Sequence, residues 1–147
     1  MSLEAWLKNG WLKTHKTSRQ EIANLLAVAD RDLKQCRLPK LIPDWRLNIA
    51  YNAALQLATA ALAASGYEAE RSNKHMRVIQ SLEFTIDLEP ALVDQLDKFR
   101  TKRHIAGYEQ VGAISDHEAS EMQELGEKLR RRVKAWLGKE HSYLLEA

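Results

Sequence analysis

A helix starting at Asp44 or Trp45 and running to Ser65, with Gly66 placed to end it, is apolar on more than one side. Leu47, Ala50, Tyr51, Ala54, Leu55, Ala58 and Leu62 form one face, while Ile49, Ala53, Leu57, Ala60, Ala61 and Ala64 fill the others. A helix that is apolar around its circumference needs neighbours on several sides, so it belongs at the centre of a helical bundle. That requirement constrains the fold more than any other feature of the chain.

The neighbours are legible from caps and period-3.6 stripes. Leu3, Trp6 and Leu7 suggest a short opening helix ending near Gly10. Thr17 or Ser18 caps a second helix, with Gln20 or Glu21 completing a capping box. It carries the stripe Ile22, Leu25, Leu26, Ala29, Leu33 and runs to about Cys36, before a loop that begins at Leu38-Pro39 and closes at Pro43. Ser72 or Asn73 caps a fourth helix bearing Met76, Ile79, Leu82 and Ile86. Glu89-Pro90 opens a fifth, lined by Leu92, Leu96 and Phe99 and ended by Gly107. Ser115 and Glu118 form a capping box for the last helix, with the stripe Met122, Leu125, Leu129, Val133 and Trp136. No segment alternates with period two over a strand's length, so no sheet is predicted. The expectation is one all-α domain over residues 1–147, an up-and-down bundle of five or six helices.

Composition agrees. A chain of 147 residues with 45% hydrophobic and 29% charged residues is globular and fits one domain. No signal-peptide pattern and no stretch long enough to span a bilayer are recognised, which gives the cytoplasm as the default and no membrane partner. The single cysteine, Cys36, reads as a buried structural thiol. Five histidines show no metal spacing, no phosphate-binding glycine loop is present, and no cofactor is expected.

The formal charge of +2 is too small to indicate a nucleic-acid partner, so placement of the cations decides. One cluster is Lys98-Phe99-Arg100-Thr101-Lys102-Arg103-His104, and the other runs from Lys128 to Lys134 through Arg130, Arg131 and Arg132. At about 100° per residue, Leu92, Leu96, Phe99 and Arg103 share one helix face, so Arg103 continues the core stripe. A guanidinium there needs an anionic or carbonyl partner or a position at the rim of a cleft. A snorkelling arginine, or one tied to a carboxylate on another helix, is the plainer reading.

Arg103-His104-x-x-x-Tyr108, a loop, a Ser-x-x-Glu cap and a long final helix resemble the signature region of the HEPN family. Its ribonucleases carry an arginine, often a polar residue after it, and then a histidine. Arg103 and His104 match the first two, and Tyr108 falls at the histidine. Arg103-His104-Ile105-Ala106-Gly107-Tyr108 is also similar to an Arg-x-x-Ala-Asp-Tyr variant of small bacterial HEPN proteins, with glycine in place of aspartate. Tyr51, within Asn48-Ile49-Ala50-Tyr51-Asn52, and His75 resemble further family positions, and the likeness covers residues 18 to 137.

The resemblance implies a cleft, usually between two subunits, in which RNA is cut without metal. There arginine stabilises charge on phosphate and histidine moves a proton. Tyrosine, with a reference pKa of ~10, is a poor general base at neutral pH. His104 points about 100° away from Arg103 on a regular helix. The likeness therefore implies RNA or nucleotide binding ahead of cleavage, with Arg103, His104 and Tyr108 as candidate catalytic residues. It also implies a homodimer, a stress, toxin–antitoxin or defence setting, and an antitoxin or nucleotidyltransferase partner.

Arg100, Lys102, Arg130, Arg131 and Lys134 are the further candidate phosphate contacts. The last three read first as a solvated face balanced by Glu124 and Glu127. Asn48 and Asn52, one turn apart, serve ordinary helix-to-helix hydrogen bonds or anchor Arg103 or a dimer interface. The rival to the HEPN-like reading is a non-enzymatic interaction domain in which Arg103 only holds helices together.

Overall fold

In the computed structural model, which describes residues 1–105 and 111–145, the central helix is α3 (Pro43–Ala64). Proline at its first position lacks only an N–H that would have no helical partner, so the helix starts one residue earlier than the sequence suggests. At the far end Ser65 is the C-cap and Gly66 takes a φ of +97°, the left-handed conformation that stops a helix. Leu47, Ala50, Tyr51, Leu57 and Ala58 are fully buried, as are most of its alanines. Each fully buried leucine contributes ~1.5–3 kcal/mol. The helix is long and apolar enough to cross a bilayer by length and composition, which corrects the expectation that no stretch is, but 72% of that window is buried inside the protein. Its apolarity answers to packing on several sides.

Four helices make an up-and-down bundle: α2 (Arg19–Gln35), α3, α6 (Pro90–His104) and α7 (Asp116–Glu140). Side-chain pairs fix the directions. Asp32 meets Asn52 and Cys36 meets Arg46, so α2 and α3 are antiparallel. Glu89 meets Arg132 and Lys102 meets Glu118, so α6 and α7 are antiparallel as well. α7 runs parallel to α3, and Gly126 brings it close to the Ala50 carbonyl. Cys36 is buried, and desolvation raises its thiol pKa to about 11.

The caps follow the sequence with two differences, one of which is that Asn73 stands at the N-cap of α4 (Lys74–Gln80) with a φ of +55° and makes no side-chain capping bond. Ser115 and Glu118 form the complete capping box. Ser18 accepts from the Glu21 N–H, but the Glu21 carboxylate turns away to Thr17 and His15. On α7 the buried stripe ends in Leu137, four residues beyond Val133, while Trp136 is half-exposed and meets the His141 ring at a tilt of 59°, centroids 4.7 Å apart. On α6, Val93 takes the fully packed place beside Leu96 and Phe99, and Leu92 is half-buried.

Two expectations are corrected. A short antiparallel sheet pairs β1 (Leu12–Thr14) with β2 (Tyr67–Ala69), in the register Leu12 with Ala69 and Thr14 with Tyr67. Three-residue strands are too short to show alternation, and their partners lie far apart in the chain. The expected fourth helix is broken into α4 (Lys74–Gln80) and α5 (Leu82–Thr85) at Ser81. The buried Ser81 hydroxyl donates to the Val78 carbonyl at 2.6 Å, a back-bond that bends helices. The opening helix α1 (Leu3–Lys8) is tied to this region through Trp6, Trp11 and Phe84, with the Arg77 guanidinium 3.7 Å from the Trp11 ring centroid. Gly107, the expected end of the fifth helix, lies outside the described residues.

Candidate functional site

On α3 the exposed Trp45 and the half-buried Asn48, Ile49, Asn52, Gln56 and Thr59 form a strip, their helical spacing putting them on one face. Helix α2 flanks that strip on one side and α6 on the other. Asn52 is tied to α2, its amide donating to Asp32 Oδ2 at 2.6 Å, and Gln56 donates weakly back to Asn52. Asn48 is tied to α6, where its Oδ1 accepts from Arg103 Nε at 3.1 Å. The two amides thus divide the roles that the sequence left open between them.

Arg103 continues the α6 stripe as its spacing requires, half-buried, with its guanidinium carbon 5.6 Å from the centroid of the Tyr51 ring. Among the described residues no carboxylate pairs with it, and only its Nε is hydrogen-bonded. A cation held by an amide and an aromatic face keeps its full charge and the outer fork of its donors. One turn back, Arg100 Nε donates to Asp97 Oδ1 at 2.8 Å.

Two titratable groups complete the site. Tyr51 is fully buried, and its hydroxyl has no partner among the described residues. Burial raises its pKa to about 12 despite the opposing pull of Arg100 and Arg103. It is a protonated donor at any physiological pH. His75, the second residue of α4, has its pKa lowered by desolvation first and then by Arg103, Lys74 and Arg100. At neutral pH its ring is the uncharged form, able to accept a proton. Around the buried Tyr51 hydroxyl lie the guanidinium of Arg103 and that of Arg100, the latter neutralised by Asp97, while the exposed His75 ring lies within reach of their charge. The site suits an anion whose chemistry involves a mobile proton.

The other sequence candidates are dispersed. Lys102 pairs with Glu118 in the α7 cap, and that contact is the leading cause of the lowered Glu118 pKa. His104 is exposed at the end of α6, and Tyr108 lies outside the described residues. Arg130 and Lys134 face α2, both bound to Asp30 at 2.6 and 3.1 Å. Asp30, and not Glu124 or Glu127 of their own helix, balances them, while Glu127 is taken by Arg37. Arg131 is exposed.

Sequence reasoning missed Asp32 and Asp97. Asp32 carried a readable signal, since it falls three residues after Ala29 on the apolar stripe of α2 and is indeed buried, held by Arg31 and Asn52. Asp97 had none, because only the fold places it beside Tyr51. Among the described residues no group of three or more histidine, cysteine or acidic side chains could hold a metal ion. Comparison with protein-family models, with curated proteins and with solved structures finds no match to this chain.

Proposed function

We propose that the α3–α6 seam at Arg103 binds the phosphate of RNA or of a nucleotide, in a domain of HEPN-like character. The observation that carries this reading is the state of Arg103. A structural arginine on a core stripe would be expected to close on a carboxylate, yet its partners among the described residues are a neutral amide and an aromatic ring. Phosphate oxygens match the two outer nitrogens of a guanidinium as a bidentate acceptor. The His75 imidazole is the group here that would take the 2′-hydroxyl proton of an RNA substrate, a role that tyrosine at position 108 fills poorly.

A second copy of the chain is the natural cover for the N-terminal end of α3. Leu38, Ile42, Trp45 and Val111 expose large apolar side chains there, and Gly112 N–H donates to Asp44 at 2.9 Å, which holds Val111 near that end. This patch adjoins Asn48 and Arg103, in keeping with the two-subunit cleft and the toxin–antitoxin, stress or defence setting of the HEPN resemblance.

The test is calorimetric titration of wild type and Arg103→Ala with adenosine monophosphate and with a short single-stranded RNA. A charge-assisted contact of ~1.5–3 kcal/mol predicts a loss of roughly tenfold to a hundredfold on removing the guanidinium. Absence of binding by the wild type, or equal affinity in the variant, would refute the reading.

A further inference from the structure

On the other side of α2, a groove separates it from α7 and encloses about 390 Å³. Its walls carry Lys34 from α2, Arg37 from the turn just beyond it, and Arg130 and Arg131 from α7, with Lys134 one turn further along. The carboxylates facing them are Asp30, shared by Arg130 and Lys134, and Glu127, bound by Arg37. Five cations against two carboxylates leave a local excess of three positive charges. Lys34 and Arg131 are exposed, and neither has a partner among the described residues.

We infer that the α2–α7 groove is a track for the backbone of a nucleic-acid strand, so that the phosphate ligand proposed for the Arg103 site is part of a polymer. The inference deepens that reading and rests on it for the chemical class. Charge alone would also suit an acidic protein segment, but the lining of the groove speaks against one. Its apolar side chain is Leu33, which is buried and offers no pocket for the anchor that a peptide interface requires. What it presents is mostly guanidinium, the group whose planar fork fits phosphate. From Glu127 to Lys134 the track spans about 10 Å at ~1.5 Å per helical residue. That length accommodates about three phosphates at the ~3.4 Å rise of a stacked strand. A mononucleotide can occupy only one of the two basic sites, which α2 separates.

Arg130, Arg37 and Lys134 have structural partners, so the test uses Lys34→Gln with Arg131→Gln. Fluorescence anisotropy with a labelled single-stranded RNA of about 20 nucleotides is followed from about 50 to about 200 mM salt, beside calorimetry with adenosine monophosphate. Each lost phosphate contact flattens the plot of log affinity against log salt by ~0.7, so the double variant should lose about 1.4 from the slope. The wild type's advantage over the variant then shrinks about sevenfold across that range. Mononucleotide binding should be unchanged, because neither residue is at the Arg103 site. An unaltered slope, or a glutamate polymer competing as well as unlabelled RNA, overturns the strand track. If the slope is unaltered while Arg103→Ala still abolishes mononucleotide binding, the track fails and the Arg103 site stands. If the slope flattens while Arg103→Ala leaves mononucleotide binding intact, the Arg103 site fails and the track stands.

Discussion

Replacing glycine by alanine at two positions of one helix should change stability in opposite directions. Gly126 and Gly138 both lie within α7. In a helix interior alanine is favoured over glycine by ~0.8–1.0 kcal/mol, so propensity alone predicts stabilisation at both. The surroundings differ. A methyl group on Gly138 meets nothing within 4 Å, and the residue is exposed two positions from the helix end. Fraying trims the gain there to about 0.5 kcal/mol. A methyl group on Gly126 would come within 3.1 Å of Leu33 Cδ2 and 3.5 Å of the Ala50 carbonyl oxygen. Leu33 is 2% exposed and packed in the core, so it has to give by a few tenths of an ångström against its neighbours. Overpacking of this kind costs ~1–3 kcal/mol, which exceeds the propensity gain and leaves Gly126→Ala about 1 kcal/mol less stable than wild type. Urea denaturation followed by circular dichroism reads the difference, with the slope unchanged if only the native state is affected. The two variants should therefore stand about 1.5 kcal/mol apart, on the sum of these two estimates. Equal stabilisation by both alanines would mean that the close passage of α7 over α2 and α3 is not what demands glycine at 126.

Asp32→Ala should cost about 2 kcal/mol in the same assay, because it strips a charged acceptor from Asn52 in a buried setting. The pKa of Asp30 is lowered on balance: burial pushes it up, but the hydrogen bonds from Arg130 and Lys134 outweigh that. Its folded pKa lies below the unfolded one, so its stabilisation is complete above the ordinary aspartate range and is lost as pH falls through the folded value. Asp30→Asn should therefore shallow the acid side of a plot of melting temperature against pH, and an identical acid limb would count against the bridge. His75 has the opposite chemistry, a depressed pKa that makes its neutral form the favoured one in the fold, so stability should fall as pH drops through the ordinary histidine range. Saturating phosphate should raise its pKa in a histidine proton titration by NMR, and a pKa indifferent to phosphate would place the anion elsewhere.

The sequence by itself determined the elements and which of them had to be central. Caps such as Ser115 with Glu118, stripes such as Met122, Leu125, Leu129 and Val133, and the all-round apolarity of α3 are local or periodic, and period and capping chemistry belong to neighbouring residues. It also placed Arg103 on the core face of its helix, a matter of counting turns. The tertiary structure decided every question about partners. Asn48 and Asn52 look alike in the sequence, yet one turns to α6 and the other to α2, because a helix face a turn long meets whichever helix is nearest. Arg130 and Lys134 read as balanced within their own helix, but Asp30, about a hundred residues away, reaches them across the bundle. The three-residue strands and the bend at Ser81 escaped detection for related reasons, since the pairing of β1 with β2 is non-local and a buried serine bends a helix only where its hydroxyl finds no better partner than its own backbone. Above all, sequence could set Arg103 at the edge of the core but could not say what it would face. That depended on how α6 lies against α3, and the packing brings it to an amide and a tyrosine ring.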